Sequence, residues 1–117
     1  MLSNTSSDMP KSPLTTEPNV FAPEGAIDLH VAPEIRANLR ELIDEKPKRL
    51  IVDMSSVTYV DSSGIAVLIG AMQSLEAQGG EFLLAATRET VRFIFESAKL
   101  DKYFHMYPTV EAAIAAA

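Results

Sequence analysis

Hydrophobic and polar positions change period at a few sharp boundaries along the chain. Leu50-Ile51-Val52 is an unbroken apolar run, too short for a helix and suited to a strand buried on both faces, as in a parallel sheet. Beyond it, Ile65, Leu68, Ile69, Met72 and Leu75 recur at helical spacing, which predicts a helix from about Ser63 to Gln78 with one stripe facing the sheet. Gly79-Gly80 stops it. Upstream, Pro33 suits the first turn of a helix carrying Ile35, Leu39, Leu42 and Ile43, and Pro47 ends that helix. Its intervening Glu34, Arg36, Arg40, Glu41, Asp44 and Glu45 mark a solvated face. Glu81 to Ala86 reads as another buried strand, followed by a helix capped by Thr87 and running through Val91, Ile94 and Phe95 to about Ala98. Phe104 to Tyr107 fits a short edge strand, and Thr109 caps a last, alanine-rich helix from Val110 to Ala116.

The start of the chain is less regular. Val20-Phe21-Ala22 and Ala26-Ile27-Asp28-Leu29 allow one or two short strands, separated by the turn-like Pro23-Glu24-Gly25. Residues 1–18, rich in Ser, Thr and Pro, have the composition of a disordered tail. No internal repeat occurs, and strands alternating with helices over short connections predict one α/β domain over 19–117, its parallel strands joined by right-handed crossovers.

Charge and composition narrow the function classes. A net charge of -6 without a dense Lys/Arg run argues against nucleic-acid binding, which needs cationic density to displace counterions. An acidic chain also gains nothing at an anionic membrane surface, and no apolar run is long enough to insert in a bilayer. The absence of cysteine removes disulfides, thiol nucleophiles and Cys-based metal sites. The beginning of the chain lacks the basic and apolar regions of a signal peptide, so a cytoplasmic location is expected.

Candidate chemistry gathers where the central strand hands over to the long helix. Asp61, Ser62 and Ser63 are residue types that satisfy the free N–H groups of a first helical turn, so the sequence reads as a cap. The sharper alternative is a phosphorylation site, since a phosphoryl group there would meet those N–H groups at the positive helix end. Away from the core stripe, the same helix carries Ala66, Val67, Gly70, Ala71 and Ser74, with no charge among them. Such a face suits a closely packed partner, or alternatively a second internal contact with another helix.

These residues carry a family resemblance. Val52-Asp53-Met54-Ser55, Val57 and Tyr59-Val60-Asp61-Ser62-Ser63-Gly64-Ile65 resemble the signature of the STAS domain, the sulfate transporter and anti-sigma factor antagonist family. The likeness extends from about Gly25 to Ala117 and is greatest to the free-standing bacterial anti-sigma factor antagonists. It implies a STAS-like α/β fold with a mixed, mostly parallel sheet of four to five strands and about four helices. Two early strands would pair as a hairpin ending in the element similar to Gly25-Ala26-Ile27-Asp28. The phosphorylated residue of the family maps to Ser63, with Ser62 the second choice, and Asp53, Asp61, Ser62 and Gly64 match its surroundings. The implied function is a non-catalytic, phosphorylation-controlled switch. Unmodified, it would bind an anti-sigma factor serine kinase and release the sigma factor; a serine phosphatase would reset it. The alternative within the family is a STAS subunit of a lipid-transport or stress-signalling complex.

Catalytic readings find little support in the residues. His30 and His105 have no neighbouring carboxylate or second ligand at metal spacing, so neither a metal site nor a cofactor is expected. The serines lack the Gly-x-Ser-x-Gly frame of a hydrolase, because Asp61 stands at the first glycine position. Asp53, Thr87 and Lys102 resemble a phospho-accepting receiver only faintly, and the acidic pair that would hold its metal is missing. An enzyme built on the Asp61–Ser63 region is the remote alternative.

Overall fold

The computed structural model describes residues 19–116, so the expected tail over 1–18 lies outside the described residues. The elements are β1 (Asn19–Phe21), β2 (Gly25–Ile27), α1 (Ala32–Asp44), β3 (Arg49–Asp53), β4 (Val57–Val60), α2 (Ser62–Ala77), β5 (Glu81–Ala85), α3 (Glu89–Ser97), β6 (His105–Tyr107) and α4 (Val110–Ala115). Four strands form one sheet in the order β1-β3-β5-β6, and β2 pairs with β4 in a separate two-stranded sheet. Every pairing among the described residues is parallel.

Period-2 alternation explains why the central strands read as continuous apolar runs. Leu50 and Val52 of β3, with Phe82 and Leu84 of β5, join the main core together with buried residues of α1, α2 and α3. Ile51, Leu83 and Ala85 point the other way, toward Ala113 of α4. Both sheet faces are therefore covered, which is the condition for an all-parallel sheet. Arg49 ties the thinner layer down: its Nη1 donates to the carbonyls of Ala113 (3.2 Å) and Ile114 (3.1 Å), while Nη2 pairs with Glu81 at 2.7 Å.

Three local expectations give way to tertiary context. Residues 57–60, where no strand is expected between the Leu50–Val52 strand and the long helix, form β4, because Val57 and Val60 are buried while Thr58 and Tyr59 face outward, and β2 supplies the hydrogen-bonding edge. The early hairpin is absent, since Pro23 to Gly25 carries β1 and β2 to different partners, β3 and β4. Gly25 makes that redirection at a φ of 78°, which side chains other than glycine adopt at a cost. Thr87 does not cap α3; Arg88 occupies the N-cap position without a side-chain cap, and the Thr87 hydroxyl is buried with no partner among the described residues. Thr109 does cap α4, its Oγ1 accepting from the Ala112 N–H at 2.9 Å.

Candidate functional site

Asp61 holds the start of α2 through four hydrogen bonds. Its backbone is extended, as an N-cap requires, and Oδ1 accepts from the Gly64 N–H at 3.0 Å. Oδ2 accepts from the Leu29 N–H at 3.2 Å, joining the turn before α1 to the helix. Its own N–H donates to the Ile27 carbonyl, and its carbonyl accepts from the Ile65 N–H. Gly64 completes the seat: a Cβ there would press on the Ile27 carbonyl oxygen and lie 2.8 Å from Val60 Cγ1. The first turn of α2 is thus set against the ends of both β2 and β4.

Ser62 and Ser63 are the first two helical residues, Ser62 exposed and Ser63 half-buried. With Asp61 supplying the cap, neither hydroxyl has a hydrogen-bond partner among the described residues, and neither do the two N–H groups. Free hydroxyls beside free N–H donors at the positive end of a sixteen-residue helix can accommodate an anionic group. The structure brings Asp61, Ser62, Ser63 and Gly64 into one turn. Asp53 acts on the loop after β3 instead, where its Oδ1 accepts from the Ser55 N–H at 3.0 Å. Arg88 braces that loop, its Nε donating to the Ser55 carbonyl at 2.8 Å.

The uncharged face of α2 divides in two. Val67 and Ala71 are only 3% and 8% exposed and belong to the core, because α1 lies along this side of the helix. Their assignment to a free partner-binding face is corrected accordingly. Ala66, Gly70 and Ser74 remain exposed. Neither Leu29, 68% exposed with its amide bonded to Asp61, nor Arg88 as a brace was legible along the chain; both depend on loops meeting across the fold. His30 and His105 are exposed, and among the described residues no group of three or more His, Cys, Asp or Glu could hold a metal ion. Nor is any described helix long and apolar enough to cross a membrane.

A capped serine pair after the parallel strand β4, in a domain that also carries a four-stranded parallel sheet, agrees with what comparison with known families finds: the STAS domain profile matches residues 10–113. The chain belongs to the STAS domain family. An anti-sigma F factor antagonist from Lysinibacillus sphaericus is 30% identical over 102 residues, 86% of each chain. The structure of the anti-sigma factor antagonist SpoIIAA in its unphosphorylated form is 31% identical, with a TM-score of 0.71 over 86% of this chain and 88% of that one. The Bacillus protein in its phosphorylated form is 29% identical, with a TM-score of 0.65 over 86% and 91%. The matched span includes the capped turn and the whole of α2.

Proposed function

We propose that this STAS domain is an anti-sigma factor antagonist controlled by phosphorylation of Ser63. Unmodified, it binds an anti-sigma factor serine kinase, which releases the sigma factor; the kinase then phosphorylates Ser63, and a serine phosphatase restores the binding form. The observation that carries this reading is the Asp61 cap, which satisfies Gly64 and leaves the serine hydroxyls and N–H groups of the first turn without partners among the described residues. Likeness to a protein with solved unphosphorylated and phosphorylated forms supports it.

The mechanism is electrostatic and local. Phosphorylation adds a charge of about -1.5 to -2 at the rim of the Ala66, Gly70 and Ser74 face, next to the Asp61 carboxylate. Burying that face against a partner then requires stripping water from a dianion, and acidic groups of the partner are repelled. A penalty of about 3 kcal/mol weakens binding roughly a hundredfold. The chain itself acts as substrate and ligand, with catalysis residing in the kinase and phosphatase.

Intact-mass analysis with site mapping, on protein isolated from its native cells with phosphatases inhibited, tests the modification. A phosphate on Ser63 is expected. With the purified kinase, Ser63→Ala binds constitutively and Ser63→Asp binds weakly; equal binding by the two removes Ser63 from the switch. A chain unmodified in both resting and stressed cells, and recovered with transporter subunits, would instead be a constitutive subunit.

A further inference from the structure

Helices α1 and α2 lie side by side and run in the same direction. At their starts the Leu29 N–H donates to Asp61 Oδ2 at 3.2 Å; at their ends the Pro47 carbonyl lies 2.8 Å from where a Gly80 Cβ would stand. Between them is a groove of about 520 Å³. Buried Val67 contributes to its lining, exposed Ala66, Gly70 and Ser74 form the α2 side, and Arg36 and Arg40 rise from α1.

Two independent observations indicate an external occupant. A Cβ at Gly70 would meet nothing within 4 Å, so internal crowding does not account for a glycine in mid-helix, where it costs about 0.5–1 kcal/mol relative to alanine. Arg36 and Arg40, one turn apart and exposed, have no ion pair or hydrogen bond among the described residues, although the chain's net charge is -6. Guanidinium groups pair best with carboxylates, often through two parallel hydrogen bonds. Asp44 lines the groove further along α1, so its two ends differ in charge.

We propose that the groove between α1 and α2 docks an acidic helical segment of a protein partner, its backbone close against Ala66, Gly70 and Ser74. Two carboxylates one turn apart on that segment meet Arg36 and Arg40, which lie at i and i+4 on α1. The small α2 residues also recur at every fourth position, which lets a helix approach closely along the groove. Asp44 sets direction, excluding the acidic end of the segment from the far end of the groove. The proposal deepens, and rests on, the reading of this domain as a partner-binding switch. Because α1 and α2 start together, the arginine end is the one nearer Ser62 and Ser63, so a phosphate on the first turn raises negative potential where the carboxylates dock.

The test is an NMR titration of the isotope-labelled full chain at low salt with an alanine-based helical peptide bearing glutamates at i and i+4. A lysine-for-glutamate counterpart serves as its control. The glutamate peptide is expected to shift the amides of Ala66, Gly70 and Ser74, and the lysine peptide to leave them unmoved. An Arg36→Gln/Arg40→Gln variant, altered only at exposed positions, should bind the glutamate peptide about tenfold more weakly. No shift with the glutamate peptide, equal shifts with both, or full affinity in the double variant overturns the proposal. So does perturbation of the same amides by phosphatidylglycerol vesicles with the peptide inert, which would make the occupant a lipid surface. Weakened peptide binding by Ser63→Asp ties the groove to the switch; unchanged binding refutes that coupling while the arginine-dependent docking stands.

Discussion

Removing the Asp61 side chain tests whether one carboxylate holds the candidate site together. In Asp61→Ala the first turn loses the Oδ1 acceptor for the Gly64 N–H, a cap worth about 1 kcal/mol. The Oδ2 bond from the Leu29 N–H, at 3.2 Å, also goes; because this bond is exposed, water replaces part of it and the loss is about 0.5 kcal/mol. A negative charge beside the positive helix end disappears as well, adding about 0.5 kcal/mol. The sum is about 2 kcal/mol, a fall in Tm of roughly 8–16 °C for a domain of this size. Asp61→Asn separates the contributions. Its amide oxygen still caps Gly64, whereas its NH2 cannot accept from Leu29, so about 1 kcal/mol is lost. Urea unfolding at neutral pH, followed by circular dichroism and backed by thermal melts, measures both. A loss under about 0.5 kcal/mol in Asp61→Ala, or an asparagine variant as unstable as the alanine one, would refute the assignment of cap and cross-loop bond to this carboxylate.

Val67→Glu places a charge in the core between α1 and α2 and should cost about 4 kcal/mol or more, whereas Ala66→Glu, one residue away and exposed, should stay within about 0.5 kcal/mol of the parent in denaturant titration. Gly64→Ala should lose about 2–3 kcal/mol, because the backbone carbonyl of Ile27 cannot yield to a methyl group as a flexible side chain would; an unchanged melting curve would show that the turn shifts freely. Arg49→Ala removes the donors to the Ala113 and Ile114 carbonyls, and should speed amide exchange throughout α4 at an overall cost of about 1–2 kcal/mol. The Glu81 pair contributes little to that figure, since its carboxylate is half exposed, so Glu81→Gln should have a much smaller effect.

The strength of each local signal decided how well an element could be read. The long helix after Asp61 and the strand at Leu50 to Val52 were legible because helical spacing and a bounded apolar run are properties of consecutive residues. Thr109 was legible for the same reason, its bond to the Ala112 N–H spanning three residues. β4 was not, because its burial pattern of two outward residues between two buried ones matches neither a strict alternation nor a continuous run. It became a strand through pairing with β2, whose partner residues lie 32 or 33 positions earlier in the chain. Thr87 failed as a cap where the chain leaves β5 with Ala86 at a φ of 59°, and the helix begins later.

What the sequence determined by itself about this protein is the α/β alternation, the capped serine turn and the absence of charge along one side of α2, since each follows from residue type and spacing. Which part of that uncharged side is free was decided only by the tertiary structure. Periodicity assigns a residue to a direction around its own helix but carries no information about what lies in that direction. Here α1 lies over Val67 and Ala71, leaving Ala66, Gly70 and Ser74 open, and the same approach of the two helices brings Leu29 to Asp61 and sets Arg36 and Arg40 beside the groove.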